Sequence, residues 1–445
     1  MSLRRRNPPK RQSPPPLEYS LLLTATLCLL AFGAVMVFSA SSARSLLTGE
    51  GNGFYYLLRT VAFAAIGLAV MRGLSLRGLA VARALTPLML LVSLFLLVAV
   101  LAPGVGQTVN GAQRWIGAGL LQFQPSELAK LSLVLYGAHL LAAEPRRVRD
   151  LRGLGPYLLV VGAALLLISI QPDLGTSIII ASAVCAVLFL AGVRLRTLAP
   201  AAVAIGLIGV AMIATNPYQQ ERLTGFLNPG ADPGGAGFQS KQATIAVGSG
   251  GIFGVGLGES VQKASYLPEA HTDMIAAVIG EELGLAGMFV LIGLYGMFGY
   301  AGLRAAHRAR DRYSKLLAAG LTSLIMAQAA LNLFAVLGLA PLTGVPLPFV
   351  SYGGTSLVIT LASAGLILNV ARRPAQGSGR RRSGGEGGAS RAGRSPAGGP
   401  ARLRVIDGGT HTRRKRVASG KSRDSGRRHG GARRAGDRRR RRASR

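Results

Sequence analysis

The residues best placed to do chemistry lie at 267–284, where the sequence reads LPEAHTDMIAAVIGEELG. A polar stretch containing His271 ends in Asp273, and an apolar run of helical length follows and carries Glu281 and Glu282. Carboxylates at or below a membrane surface are costly and are usually retained for function. Asp273 is therefore a candidate general base. The alternative is an ordinary acidic cap at the start of a helix.

The two glutamates of this run cannot both share the helix face of Asp273. They lie eight and nine residues beyond it, which is about 12–14 Å deeper at a rise of 1.5 Å per residue. Glu281 is turned from Asp273 by about 80° and Glu282 by about 180°. A hydrogen-bond or ion-pair network inside a helix bundle is the favoured interpretation, and a proton relay is the alternative.

Two basic residues are candidates for binding an anion: Arg114, in NGAQRWI, and Lys130, in QPSELAK. Arginine offers a planar fork of donors and lysine a point charge, and together they suit a diphosphate. Each has a simpler alternative. Lys130 can pair with Glu127, three residues before it, and Arg114 can anchor the chain at headgroup level beside Trp115.

Apolar runs of about 20 residues mark membrane-spanning helices, and the sequence contains ten of them. They cover residues 18–41, 54–72, 84–102, 125–143, 156–171, 174–192, 198–214, 273–303, 315–339 and 354–371. The predicted fold is an all-α integral membrane protein of about ten transmembrane helices within residues 18–372.

The distribution of Lys and Arg orients these helices, because short cytoplasmic loops are enriched in both. Loops at 72–83, 146–152, 194–196 and 304–315 are rich in Arg and fall on one side of the membrane, together with both basic termini. The opposite loops carry far fewer basic residues. Both termini, including residues 1–17, are therefore predicted to be cytoplasmic.

Three segments stand out on the outer side. Residues 103–124 contain the NGAQRWI motif, and residues 215–272 form a large loop between helices 7 and 8, which includes Lys241. Long ordered loops are usually functional. Residues 341–356 combine prolines and glycines beside a membrane helix, which favours a broken or re-entrant backbone. The Gly-rich run at 248–260 lacks the Lys-Ser/Thr ending of a phosphate loop, so we interpret it as a flexible or tightly packed loop.

The chain carries a formal net charge of +33, and much of it lies in the tail at 373–445. Residues 374–445 hold 23 Lys and Arg against four Asp and Glu, with few apolar side chains. This composition predicts disorder. A polybasic segment next to a membrane is expected to bind anionic lipid headgroups or an acidic protein rather than a specific nucleic acid. Two cysteines, both in apolar runs, exclude a disulfide framework.

Taken together, the sequence resembles the SEDS family of bacterial cell-wall proteins (shape, elongation, division and sporulation) over about residues 18–372. The stretches that carry the resemblance occur in family order and are NGAQRWI (110–116), QPSELAK (124–130), QPDLGTS (171–177), NPYQQERLTGFLNP (216–229), LPEAHTDMIAAVIGEELG (267–284) and PLPFVSYGGTS (346–356). They look closer to the division branch, the FtsW type, than to the elongation branch, the RodA type. Met274 departs from the pattern, since Phe is common there.

The resemblance implies a peptidoglycan glycosyltransferase that polymerises lipid II on the outer face of the bacterial cell membrane and releases undecaprenyl diphosphate. The essential acid of the family falls on Asp273, and its conserved basic positions fall on Arg114 and Lys130. Supporting roles are predicted for Glu127, His271, Lys241 and Glu281. No cofactor is firmly implied, although a divalent cation, Mg or Mn, can share the stabilisation of charge.

The resemblance also implies partners and a location. Family members generally work with a class B penicillin-binding protein, a transpeptidase, and other divisome proteins are further expected partners. The expected site of action is the division septum. Two alternatives stay open: a lipid II flippase, and a scaffold that recruits the class B penicillin-binding protein.

Overall fold

A computed structural model describes residues 15–372 except 49–53, 110, 118, 120–121, 146–150, 229–234, 266 and 268–269. The tail at 373–445 and most of the predicted basic segment at 1–17 lie outside the described residues. The predictions of a disordered tail and of its lipid or protein contacts therefore stay predictions.

The described part of the chain is mainly helical, as predicted. Its elements are α1 (Leu17–Thr48), α2 (Phe54–Ala99), β1 (Gly106–Val109), β2 (Ala112–Ile116), α3 (Pro125–Ala143), α4 (Leu151–Ile170), α5 (Leu174–Ala191), α6 (Leu195–Thr215), α7 (Pro217–Leu227), α8 (Ala236–Ser249), α9 (Gln262–Ser265), α10 (Ile275–His307), α11 (Arg312–Val336) and α12 (Gly354–Arg372). All ten predicted spans lie in these helices, to within three residues at their ends. Among the described residues, eight helices are long and apolar enough to cross a membrane: α1, α2, α4, α5, α6, α10, α11 and α12.

Helix α2 contains two of the predicted spans. Its 46 residues would reach about 69 Å in a straight helix, roughly twice the thickness of a bilayer core. Arg59, near its start, and Leu97, near its end, both lie at the end of the bundle that holds Asp273. Arg83, between them, pairs with Asp311 at the opposite end, where α11 begins. The chain therefore crosses the bundle and returns within α2.

The segment at 215–272, called the outer segment after its predicted position, is not an open loop, because it folds into α7, α8 and α9. Its Gly-rich part packs tightly against α10, where Val255 N–H donates to the carbonyl of Glu281 (3.0 Å) and Leu285 N–H donates to the carbonyl of Gly251 (3.0 Å). Gly284 interrupts α10 with a φ of 63°, a conformation that glycine adopts without strain. The outer segment thus satisfies the backbone groups that this interruption frees.

Glu281 and Glu282 fix the same segment by their side chains. Glu282 is fully buried and accepts hydrogen bonds from Lys263 Nζ (2.5 Å) and Ser39 Oγ (2.7 Å). Glu281 accepts from the hydroxyl of Ser260 and from the backbone N–H of Val261 (3.1 Å). These contacts join α1, the outer segment and α10 into one unit.

The segment between α11 and α12 is non-helical and largely buried, which agrees with the predicted broken backbone. Leu342, Val345 and Leu347 are each at most 5% exposed. Its carbonyls find partners on neighbouring helices, since the hydroxyl of Tyr295 donates to Pro348 O (2.5 Å). Irregular backbone at membrane depth is tolerated only where protein or a cavity surrounds it in this way.

We expect Lys263→Met to destabilise the protein strongly. The substitution leaves the Glu282 carboxylate buried without its cation, and breaking a buried pair by removing one partner costs about 3–5 kcal/mol. Thermal unfolding in detergent measures the loss. The control is Arg83→Met, which removes a half-exposed pair with Asp311 and is expected to cost about 1 kcal/mol or less. Equal losses for the two variants would contradict the role given to Lys263.

Candidate active site

A cavity of about 540 Å³ lies at one end of the bundle, where several helices begin and the non-helical segments meet. It is lined by the starts of α2, α3, α5 and α12, by β2 and α7, and by residues 271–273 and 344–346. Of the residues predicted from the sequence, Asp273, Arg114, Glu127 and His271 line this cavity. The fold thus brings together motifs that are far apart in the chain.

Asp273 precedes α10 and is held by its backbone. The side-chain amide of Asn332, on α11, donates to the carbonyls of both Asp273 and Val345 at 2.8 Å. The hydroxyl of Thr272 lies 3.3 Å from Asp273 Oδ1. Asn332 is 2% exposed, so a buried amide fixes the half-buried acid against the wall formed by residues 344–346.

Two arginines that line the cavity lie near the ring of Tyr218. The guanidinium carbon of Arg222 lies 4.6 Å from the centre of the Tyr218 ring, and that of Arg114 lies 5.7 Å from it. Arg114 is also anchored by its Nε, which donates to Gln171 O (2.9 Å), and by a hydrogen bond from Nη2 to the carbonyl of Pro172. This side of the cavity therefore offers two oriented cations to an anionic group.

The other side of the cavity is aromatic. The rings of Tyr56, His271 and Tyr352 contact one another, with centroids between 4.7 and 5.4 Å apart. Arg59 lies beside them, 5.7 Å from the ring of Tyr352. Burial raises the pKa of the Tyr352 hydroxyl to about 12, although the nearby Arg59 guanidinium opposes the shift. The Tyr352 phenol is therefore neutral near pH 7 and can act as a hydrogen-bond donor.

Lys130 lies beneath the cavity and does not line it. Its ammonium group donates to Glu127 Oε1 (2.8 Å) and to Gln328 Oε1 (2.7 Å), and all three side chains are nearly fully buried. The amide of Gln328 in turn donates to Pro346 O (2.9 Å). This geometry matches the salt-bridge alternative for Lys130, and it connects the ion pair to the cavity wall.

Two other predicted supporting residues lie away from the cavity lining. Lys241 is exposed on α8, and Glu281 is used in the packing of the outer segment. Asp173, by contrast, lines the cavity and also caps α5, where its Oδ1 accepts from Thr176 N–H (3.1 Å) and its Oδ2 from the Gln124 amide (3.2 Å).

The sequence analysis did not single out Arg59, Arg222, Tyr218 or Asn332, which the structure places in or against the cavity. A signal existed for two of them, because Tyr218 and Arg222 belong to the NPYQQERLTGFLNP motif. Arg59 and Asn332 lie in apolar runs with no recognisable motif. Only their contacts in three dimensions identify them.

The described residues do not by themselves build a metal centre. Within the described ranges, no three His, Cys, Asp or Glu side chains are arranged to hold a metal ion. Magnesium is commonly bound by one or two carboxylates together with substrate phosphates. The cavity is lined by three carboxylates, those of Glu127, Asp173 and Asp273.

Comparison with known proteins agrees with this picture of the chain. Residues 19–376 match the model of the FtsW/RodA/SpoVE family, described as cell cycle proteins. Stage V sporulation protein E of Bacillus subtilis is 40% identical over 357 residues, covering 79% of this chain and 96% of the relative. A probable peptidoglycan glycosyltransferase FtsW of Thioalkalivibrio sulfidiphilus is 44% identical over 362 residues, covering 79% of this chain and 88% of the relative.

Solved structures are similar as well. A chain from a peptidoglycan synthase complex, studied for its coordination of polymerization and crosslinking, is 32% identical with a TM-score of 0.65, covering 79% of this chain and 96% of that one. The rod shape determining protein RodA of Thermus thermophilus is 29% identical with a TM-score of 0.58, covering 80% and 97%. The family match over most of the chain, together with relatives at 40% identity or more, establishes that this protein belongs to the FtsW/RodA/SpoVE family, the SEDS proteins.

Proposed function

We propose that this protein is a peptidoglycan glycosyltransferase that polymerises lipid II into β-1,4 glycan strands on the outer face of the cytoplasmic membrane. The observation that carries the proposal is the position of Asp273, which shares a cavity at one end of the bundle with Arg114 and Arg222. Relatives named as probable peptidoglycan glycosyltransferases, at about 40% identity, support the same activity.

In the proposed reaction, Asp273 removes the proton of a sugar hydroxyl on the acceptor lipid II. The hydroxyl oxygen forms a bond to the anomeric carbon of the donor, and the bond from that carbon to the lipid diphosphate breaks. The diphosphate leaves with the electron pair, and the anomeric centre is inverted. This displacement converts an α-linked donor into a β-linked product, and its single carboxylate base parallels that of inverting glycosidases.

The leaving diphosphate needs positive charge more than it needs a proton. Arg114 is anchored by two backbone carbonyls, so its guanidinium is oriented before the substrate arrives. Preorganised charges in a water-poor site stabilise a developing anion far better than mobile charges in water. We therefore assign Arg114 to the departing undecaprenyl diphosphate. A divalent cation bound to that diphosphate would supply additional positive charge.

We further propose that both termini are cytoplasmic and that the protein acts at the division septum with a class B penicillin-binding protein. The resemblance of the motifs to the division branch and the FtsW-type relatives support the septal role. The similar chain in a solved peptidoglycan synthase complex supports a crosslinking partner.

Asp273→Asn is expected to abolish polymerisation of fluorescent lipid II by the purified protein, alone or with its transpeptidase. The amide keeps the shape of the side chain but cannot accept the proton. The measurement is the length of glycan products on a gel, together with thermal unfolding to establish that the variant is folded. A matched control is Asp311→Asn, on the opposite end of the bundle, because asparagine preserves its capping of α11.

Glycan strands from Asp273→Asn would contradict the assignment of the base. Absence of polymer from the wild-type protein, with accelerated movement of lipid II across liposomes, would instead favour the flippase.

Lys130→Met is expected to lose stability because it leaves Glu127 buried without its cation. The double variant Glu127→Gln/Lys130→Met removes both charges and is expected to recover most of the lost stability, and with it most of the polymerase activity. Thermal unfolding and polymerisation are measured on the same preparations. A double variant that regains stability but makes no polymer would return Lys130 to the direct substrate contact predicted from the sequence.

Chelation by EDTA is expected to slow polymerisation while leaving the unfolding temperature unchanged. The reason is that an ion carried by the diphosphate contributes to the reaction but not to the folded state. The measurements are initial rates with and without added Mg²⁺ and thermal unfolding of the substrate-free protein. A lower unfolding temperature in EDTA would indicate a resident structural ion instead.

A further inference from the structure

An exposed apolar surface lies on the Gly-rich turn, the nine residues 250–258 between α8 and α9. The turn contains only glycine, isoleucine, phenylalanine, valine and leucine. Its four large side chains are all exposed: Ile252 (64%), Phe253 (83%), Val255 (47%) and Leu257 (56%). A cluster of exposed apolar side chains of this kind marks a surface that contacts another protein or a membrane.

The Gly-rich turn meets α10 at a defined level. The carbonyls of Gly251 and Ile252 accept hydrogen bonds from the N–H groups of Leu285 and Ala286, both at 3.0 Å. From Leu283 to Leu303, α10 contains no charged residue, and these 21 residues span about 31 Å. That length matches the hydrocarbon core of a bilayer, which is about 30 Å thick. The turn is therefore bonded to α10 at the end of this uncharged stretch nearer the cavity.

The exposed apolar surface of the turn continues that of α10. Residues 274–282 are all buried, and the first exposed residue of α10 is Leu285 (49%), followed by Phe289 (71%) and Val290 (55%). Because α10 is long and apolar enough to cross a membrane, its exposed apolar side chains are expected to contact acyl chains. The hydrogen bond between Gly251 and Leu285 joins the turn to the beginning of this lipid-facing surface.

Irregular backbone can enter lipid only if its polar groups have partners inside the protein. In the turn, the N–H of Gly254 donates to Gly250 O (2.7 Å), and those of Val255 and Gly256 donate to the carbonyls of residues 281 and 282 (3.0 and 3.1 Å). Glycine makes this pairing possible, because a methyl group at Gly250 or Gly254 would collide with the backbone of α10. The turn thus presents apolar side chains outward and pairs much of its backbone inward.

We propose that the Gly-rich turn is immersed in the acyl-chain region of the membrane leaflet at the cavity end of the bundle, and that it anchors the outer segment to the bilayer. Its ligand is a lipid surface rather than a protein, because a protein interface normally has a polar rim with hydrogen bonds and the side chains of the turn offer none. Glu259, exposed directly after the turn, then lies at headgroup level. The inference is independent of the proposed polymerase activity, since it uses no residue of the cavity.

A nitroxide spin label attached to Phe253→Cys tests the immersion. Cys28 and Cys185, which are both exposed, are first replaced by alanine, and the full chain is placed in nanodiscs of phosphatidylcholine and phosphatidylglycerol. The measurement is the collision rate of the label with oxygen, which concentrates in lipid, relative to that with a water-soluble nickel complex. Phe289→Cys on α10 is the lipid reference, and Lys241→Cys, at an exposed charged position on α8, is the aqueous reference.

We expect the label at 253 to give a ratio of oxygen to nickel collisions close to that at 289 and well above that at 241. A label at Leu257→Cys should give the same result and serves as an independent second position. Ratios at 253 and 257 that match the aqueous reference would overturn the proposal and would leave the apolar surface to a protein partner.

A matched pair of substitutions at Phe253 tests the anchoring, with the label at Leu257→Cys. A charged side chain is costly in lipid, so Phe253→Asp should shift the label toward water, whereas Phe253→Leu should leave it in lipid. Thermal unfolding in detergent establishes that both variants are folded, as expected for a side chain that is 83% exposed. An unchanged collision ratio in Phe253→Asp would contradict the proposal.

Discussion

Non-helical backbone inside a membrane protein needs internal hydrogen-bond partners, and two amides of α11 supply them at the candidate active site. Asn332 donates to the carbonyls of Asp273 and Val345, and Gln328, one helical turn away, donates to Pro346 O. Without these bonds, the broken segment before α12 and the start of α10 would carry unsatisfied carbonyls at a cost of several kcal/mol each. The position of the proposed base therefore depends on one polar face of an otherwise apolar helix.

The charged side chains in and around the cavity differ in how deeply they are buried. Lys263 with Glu282, and Lys130 with Glu127, are nearly inaccessible pairs whose members neutralise each other. Asp273, Arg114 and Arg222 are instead half-buried and line the cavity. Because a side chain needs exposed surface to contact a substrate, burial helps to separate structural ions from candidate catalytic ones.

The sequence alone predicts the helices better than it predicts the contacts of the charged residues. An apolar run that is long enough to cross a bilayer is stable there as a helix, so all ten spans were predictable. The motif containing Asp273 also pointed to the cavity. Lys130 was harder, since its spacing from Glu127 fits either a salt bridge or a diphosphate contact, and only the packing of α3 against α11 brings Gln328 to its ammonium group. Arg59 could not be recognised, because its contact with Tyr352 depends on the packing of α2 against α12, which local sequence does not encode.

The large outer segment was predicted to be a loop because it is rich in glycine, and this composition gives no sign of the hydrogen bonds between residues 251–256 and α10.

The position of the cavity at one end of the bundle helps to decide between an enzyme and a transporter. A transporter places its site near the middle of the membrane, between repeats that can rock to expose either side. Here the cavity lies at one end of the bundle, and its floor contains the buried Glu127–Lys130 pair bonded to Gln328. Opening a path through that floor would separate two charges in a medium of low dielectric, which is costly. A polymerase whose substrates and product stay on one side of the membrane has no need for such a path, and the floor then serves to hold the reacting groups in place.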